Sequence, residues 1–265
     1  MVNALETEFC KIDAEGPLLI VTINRPDVMN ALHPAANRAL AAAFDAFAAD
    51  PNLWVAILTG AGERAFSAGN DLKHQAMGGD MSGQPASGFG GLTSRFDLAK
   101  PVIAAVNGVA MGGGFEIALA CDLVIASKTA TFALPEPRVG LAALAGGLHR
   151  LPRQIGLKNA IGMILTGRRV SASEGQELGF VNEVVAPEDL MNVARKWAAQ
   201  IIECSPMSVR ASKEAVMKSL SEPSIEAGIA GQWKYEGVRA LFASADFVEG
   251  PRAFAEKRAP KWTGA

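Results

Sequence analysis

The chain predicts an α/β fold in which pairs of short strands are followed by a helix, again and again. Runs such as Val55-Ala56-Ile57-Leu58-Thr59 and Val102-Ile103-Ala104-Ala105-Val106 lack the polar alternation of a sheet with one wet face, so they read as strands covered on both sides. Segments with apolar residues at helical spacing, such as Leu40, Phe44 and Phe47, alternate with those runs. Clusters of Gly, Pro, Asn and Asp separate the two kinds of segment. With 265 residues, of which 49% are hydrophobic and 20% charged, the chain can bury a sizeable core.

Taken in order, Leu18–Ile23 reads as a buried strand ended by Asn24-Arg25-Pro26-Asp27, and a helix is expected from about Pro34. The strand from Val55 closes at Gly60-Ala61-Gly62. Residues 77–91, with many glycines, several serines and Pro85, show no sustained period and read as a mobile loop. Val102–Val106 is the next strand, 115–121 suits a buried helix, and 123–126 and 131–134 are two further strands.

Beyond Glu136 the pattern is mostly helical. Ser171-Ala172-Ser173-Glu174 is a capping-box signature with Gly179 as the stop, and 180–185 returns to strand. Pro187 opens a helix whose Leu190, Val193, Trp197 and Ile201 share one face, and Ser205-Pro206 starts another. From about Ser224 the chain reads as helix to a break at Gly250-Pro251. This divides the molecule into a core over 1–200 and a helical region over 201–265.

Composition removes several classes of function. Lys+Arg 25 against Asp+Glu 27 gives a net charge of -2, which supplies no electrostatic pull toward nucleic acid or an anionic membrane. Apolar stretches are interrupted, at Asn107 and Asp122 for instance, well short of the ~20 residues a membrane span needs. Cys10, Cys121 and Cys204 have no metal-like spacing and read as buried, reduced thiols. The first residues carry neither a basic segment nor an apolar core, so a cytoplasmic protein is expected.

The segment that suggests chemistry is Gly112-Gly113-Gly114-Phe115-Glu116, reached from the strand Val102–Val106 through Asn107-Gly108. A glycine-rich strand-to-helix turn aims backbone N–H groups at whatever oxygen lies there. On the glycines alone, a tight turn and a ligand site are equal readings. Two glutamates tip the balance. Glu116 falls in the first helical turn, where it either caps the helix or works as an acid–base group. Glu136 stands between Pro135 and Pro137, which bias it toward extended geometry and fix its direction. The loop Ala65-Phe66-Ser67-Ala68-Gly69-Asn70-Asp71-Leu72 is an everyday turn by itself. Paired with Gly113, Ala68 would complete a two-donor oxyanion hole, each donor worth roughly 3–4 kcal/mol to a developing enolate.

Other chemistries drop out. The glycines are no dinucleotide fingerprint, because Ile117 occupies the position of the last glycine, and no Lys-Ser or Lys-Thr follows them as in a triphosphate loop. His33, His74 and His149 show no metal spacing, and no metal is expected.

Together with Lys100-Pro101-Val102-Ile103-Ala104-Ala105-Val106-Asn107-Gly108 and Pro135-Glu136, these motifs resemble the enoyl-CoA hydratase/isomerase, or crotonase, superfamily over nearly the whole chain. The resemblance implies a crotonase-like (ClpP/crotonase) core of repeated β-β-α units and a C-terminal helical region that mediates trimerisation and covers the active site, with a homotrimer or a hexamer built as a dimer of trimers. It implies an acyl-CoA thioester substrate and no cofactor beyond the coenzyme A the substrate carries. Ala68 and Gly113 would hold the thioester carbonyl, and Ala68, Gly69, Asn70 and Asp71 would line the CoA loop. Phe254 and Lys257 match a C-terminal segment that reaches CoA, in its own subunit or a neighbour's. The equivalent of Glu116 helps activate water and that of Glu136 exchanges the proton at the α-carbon, so retention of both implies syn hydration of a 2-trans-enoyl-CoA to the 3-hydroxyacyl-CoA. The glycine motif, the loop over 88–93 and the C-terminal segment from Glu249 to Arg258 look especially like the carnitinyl-CoA dehydratase branch. In contrast, Leu141-Ala142-Ala143-Leu144-Ala145-Gly146-Gly147 is wholly apolar and suits a plain acyl chain better than a quaternary ammonium.

Overall fold

A computed structural model describes residues 6–265. Two sheets form its centre. The six-stranded sheet has the order β1 (Cys10–Glu15), β2 (Leu18–Ile23), β3 (Val55–Gly60), β5 (Val102–Val106), β7 (Leu123–Ser127) and β10 (Glu183–Val185), parallel except for the β1–β2 hairpin. The four-stranded sheet has the order β4 (Ala65–Ser67), β6 (Val109–Met111), β8 (Thr131–Ala133) and β9 (Val170–Ser171), with only the last pair antiparallel. Each repeat therefore gives its first strand to one sheet and its second to the other: β3 then β4, β5 then β6, β7 then β8.

The uniform apolar runs follow from this layering. On β3, Ala56 and Leu58 enter the core between the sheets while Val55 and Ile57 enter a second core, and on β5 Val102, Ala104 and Val106 divide from Ile103 and Ala105 in the same way. The second core is closed by α7 (Leu190–Ile202), whose Leu190, Ala194 and Ala198 are buried against it. The first is closed by α1 (Pro34–Ala49) through Leu40, Phe44 and Phe47, and by α3 (Gly113–Ala120), in which Phe115 packs against Phe132 and Phe180.

Several helix ends form as their sequences predict. Ser171 Oγ accepts the Glu174 N–H to start α6 (Ala172–Leu178), and Gly179 ends it at φ 98°. Ser205 Oγ accepts the Ser208 N–H at the start of α8 (Pro206–Ser219). Pro187 opens a 3-10 turn that precedes α7 rather than the helix itself. Between these, α2 (Leu72–Ala76), α4 (Gly147–Ile155) and α5 (Leu157–Thr166) complete the core.

The region after Ser224 differs from expectation. It divides into α9 (Ile225–Gly231), a 3-10 turn, α10 (Glu236–Ala243) and α11 (Ala245–Ala255). The break falls at Tyr235 and Ser244, whereas α11 runs through Gly250-Pro251. Proline disfavours helical geometry in its predecessor partly by crowding that residue's Cβ, and Gly250 has none. The loop also gains a structured end, since Phe89–Gly91 form a 3-10 turn against α1 with the Gly90 N–H donating to Asn37 Oδ1 at 2.7 Å. Cys10 and Cys121 are buried free thiols, but Cys204 is exposed at the end of α7. Among the described residues, no helix is long and apolar enough to cross a membrane.

Candidate active site

The site is built where β6 delivers the chain to α3. Gly112 adopts φ 53° and ψ -127°, a conformation open to glycine, with its N–H on the Ala133 carbonyl at 2.9 Å. A Cβ on Gly112 would stand 2.9 Å from Glu136 Oε1, so the missing side chain lets that carboxylate approach the turn. The Gly113 N–H, first in the helix, has no acceptor among the described residues. Phe89 roofs this glycine: a Cβ there would lie 2.5 Å from Phe89 Cε1.

The facing strand end is fixed by side-chain amides. Met29 and Asn30 both take positive φ, 57° and 54°, which Asn tolerates better than most residues. Asn30 is wholly buried. Its Oδ1 accepts the Arg25 N–H at 2.9 Å, and its Nδ2 donates to the Ala61 and Ala65 carbonyls at 3.0 and 2.7 Å. Asn107 reinforces the same turn, its Nδ2 donating to the carbonyls of Gly60 and Gly62 at 2.9 and 2.7 Å. Ser67 Oγ donates to the Asn30 carbonyl at 2.8 Å and accepts the Gly69 N–H at 3.1 Å.

This arrangement corrects the expected donor. The Ala68 N–H donates to the Met29 carbonyl at 2.9 Å and is therefore committed to the fold. Leu32 then pairs with the loop through the Gly69 carbonyl (2.7 Å) and the Asp71 N–H (3.0 Å). Between those two bonds the Asn70 N–H is left without an acceptor among the described residues. A Cβ on Gly69 would be 2.8 Å from the Gly113 nitrogen, so Gly69 brings the Asn70 and Gly113 amides to one place. Asp71 is occupied structurally: it caps α2 through the His74 N–H at 3.1 Å and pairs with Arg25 at 2.9 Å. Although burial raises the Asp71 carboxyl, the Arg25 and His74 bonds outweigh it and hold it below the usual range.

The two glutamates differ in their restraint. Glu116 is 3% exposed, and its Oε1 accepts the Gly147 N–H at 2.8 Å. Burial, with a contribution from the Glu136 charge, pushes its carboxyl up to about 7. Glu136 is not extended as its proline neighbour suggests; it is the first residue of the 3-10 turn Glu136–Val139. Pro137 is tolerated there because a first-turn N–H has no helical partner, while the Arg138 N–H reaches the Pro135 carbonyl at 2.9 Å. The side chain is still aimed at Gly112, its Oε2 is buried without a hydrogen-bond partner among the described residues, and burial raises its carboxyl. A buried acceptor with no donor beside a bare glycine turn is placed to exchange protons with a ligand.

The turn from Glu136 returns to α4 through the apolar segment, leaving Leu141 and Leu144 exposed. Phe254 and Lys257 are not brought to the site within one chain: Phe254 is 87% exposed on α11, which packs against α8 and α10. Of the histidines, His33 caps α1 by accepting the Ala36 N–H at 3.1 Å. Among the described residues no three His, Cys, Asp or Glu are grouped to hold a metal. Asn30, Asn107, Gly147 and Phe89 are the site-building residues sequence reading missed. Only the asparagines carried a signal, lying beside a Pro-Asp turn and a glycine.

Comparison with known proteins identifies the family. The family described as enoyl-CoA hydratase/isomerase matches residues 13–265. A carnitinyl-CoA dehydratase of Salmonella arizonae is 44% identical, the match covering 97% of this chain and 99% of the relative, and one of Salmonella typhi is likewise 44% identical. The crystal structure of an enoyl-CoA hydratase from Mycobacterium tuberculosis superposes with a TM-score of 0.91 at 39% identity, covering 98% of this chain and all of that one. That of Mycobacterium marinum gives 0.90 at 40% identity. The chain belongs to the enoyl-CoA hydratase/isomerase, or crotonase, family.

Proposed function

We propose that this protein is a lyase that adds water reversibly, in syn fashion, across the double bond of a 2-trans-enoyl-CoA to give the 3-hydroxyacyl-CoA. The observation that carries the reading is the pair of carboxylates at this site, both pushed upward by burial: Glu116, buried and anchored by the Gly147 N–H, and Glu136, half-buried against Gly112, with an Oε2 that has no partner among the described residues. Glu116, with an affinity for protons near neutrality, takes a proton from water as the oxygen bonds to C3. Glu136, protonated at the outset, supplies the proton to C2, and the proton gained by Glu116 replaces it by exchange between the two carboxyls or through solvent. Negative charge passing to the thioester oxygen is met by the Asn70 and Gly113 N–H groups, and the acyl chain runs along Leu141 and Leu144.

The CoA portion lies along Gly69, Asn70 and Asp71. The exposed apolar side chains Val216, Met217, Leu220, Ile225, Ile229 and Trp233 favour burial of the helical region in a homotrimer or a hexamer, where Phe254 and Lys257 of one subunit cover the CoA of another. Three unpaired cysteines fit a cytoplasmic setting.

The 44% identity to carnitinyl-CoA dehydratases supports a second reading, dehydration of that specialised thioester. The decisive assay is loss of the conjugated thioester absorbance of crotonyl-CoA by wild type, Glu116→Gln and Glu136→Gln. Turnover by wild type alone supports hydration. Turnover of carnitinyl-CoA with none of crotonyl-CoA selects the second reading, and wild-type rates in Glu136→Gln exclude the assigned pair.

A further inference from the structure

Arg150 lies in α4 beside the site, and neither carboxylate step uses it. Its guanidinium fills the space above Gly146, where a Cβ would overlap Arg150 Nη1 and where φ is 107°. From there Nη2 donates to the Thr93 carbonyl at 2.9 Å, and the guanidinium carbon stands 5.6 Å from the Phe96 ring centre. Two parts of the site meet at this point. Gly147, next to Gly146, holds Glu116 through its N–H, and a Cβ there would crowd Glu116 Cγ and Oε1 at 3.1 Å. Thr93 ends the glycine-rich loop whose Phe89 roofs Gly113, a loop anchored at its other side by Asn37.

We propose that Arg150 is a positioning residue: it clasps the loop over Gly113 to the helix end that holds Glu116, and it places a positive charge at the Gly146-Gly147 turn to which that carboxylate is bound. The charged groups that bear on Glu116 are Glu136, which disfavours its ionisation, and Arg150, which favours it. Burial disfavours the Arg150 cation, and the nearby Cys121 and Glu116 favour it. Removing the cation raises the proton affinity of Glu116 further, and removing the fork loosens the roof. A lysine retains the first function and loses the second, because it lacks the planar guanidinium that covers Gly146 and the Phe96 ring while donating to Thr93.

The kinetic half of this inference rests on the hydratase reading; the electrostatic half does not. The test compares wild type, Arg150→Met and Arg150→Lys as full chains by crotonyl-CoA kinetics and by carbon NMR titration of labelled glutamate, the Glu116 signal being identified by its loss in Glu116→Gln. Arg150→Met is expected to lower kcat by about 10- to 100-fold with KM changed less than about threefold, and to move the Glu116 midpoint upward. Arg150→Lys is expected to lower kcat while leaving the midpoint in place. An unmoved midpoint in Arg150→Met, or an unchanged kcat, overturns the proposal. If the wild type does not hydrate crotonyl-CoA, the functional reading fails and the titration alone decides: a raised midpoint upholds the charge role and a fixed one removes it. Where Arg150→Met does not fold, Arg150→Gln carries the same comparison.

Discussion

The two strand ends that meet at the site are shaped by opposite means. At residues 112–114 the geometry comes from what is missing: side chains at Gly112 and Gly113 would intrude on Glu136 and Phe89, and one at Gly114 would overlap the Ser67 carbonyl. At residues 67–71 it comes from what is added: the Met29 and Leu32 main chain binds the Ala68 N–H, the Gly69 carbonyl and the Asp71 N–H, Ser67 Oγ accepts the Gly69 N–H, and the amides of Asn30 and Asn107 hold the turns beside them, leaving the Asn70 N–H open. A donor is thus left open at a helix start by helix geometry, and at a loop by elimination. The difference predicts how each side fails. Added bulk on the glycine side displaces the other strand, whereas a deleted amide on the loop side leaves buried polar groups unsatisfied.

The largest effect is expected for Gly114→Ala, because Gly114 is the point of contact between the two sides. The new methyl must move the Ser67 carbonyl, and with it Gly69 and Asn70. A displacement of this kind is expected to lower kcat/KM by about 10²-fold or more, with a lower melting temperature, as hydration kinetics and thermal unfolding would show. A near-normal rate would mean that the two amides need not be held in register.

Asn30→Ala probes the other side. It strands the Arg25 N–H and the Ala61 and Ala65 carbonyls, and places alanine at a positive φ. A loss of about 3–5 kcal/mol by urea denaturation is expected. Asn30→Gly isolates the backbone part, which is about 1 kcal/mol. Equal losses in the two variants would assign the whole effect to the amide.

A third test concerns Glu116. Its carboxyl binds a proton more tightly in the folded chain, near 7, than in an unfolded chain near 4.5. Its ionisation therefore opposes folding: the stability present at low pH is lost as pH rises from about 4.5 through about 7. The full loss is roughly 3 kcal/mol. Glu116→Gln is expected to abolish this dependence, so denaturation at pH 5 and pH 8 should separate the two proteins only at the higher pH. A wild type equally stable at both would place Glu116 in a far wetter environment than its burial implies.

These contrasts also explain what the sequence made legible. The glycine side could be read directly, since three consecutive glycines before a glutamate have few other uses, and the two-sided apolar runs announced buried parallel strands. The loop side could not, because the choice between the Ala68 and Asn70 N–H groups depends on Met29 and Leu32, residues about forty positions earlier that approach only through tertiary pairing. Strands β4, β6 and β9, two or three residues long, are too short to show a period. The edge strand β1 is buried only at Cys10 and Ile12. The prolines beside Glu136 suggest extension, whereas the structure fixes the residue in a 3-10 turn.

The smallest effect sharpens the comparison most. Ser67→Ala removes one hydroxyl that donates to the Asn30 carbonyl and accepts the Gly69 N–H, at a cost of about 1–2 kcal/mol. If the loop side is a single cooperative network, that cost should nearly vanish in the Asn30→Ala background, where the turn has already lost its anchor. A coupling energy above about 0.5 kcal/mol in the double-mutant cycle would express that dependence. Combined with Gly147→Ala, which disturbs the Glu116 anchor and the neighbouring Ala143 but not the loop over 67–71, the same serine substitution should add independently. Additivity in both pairs would break the picture of a networked loop, because Ser67 and Asn30 would then hold the Asn70 N–H in place by separate means.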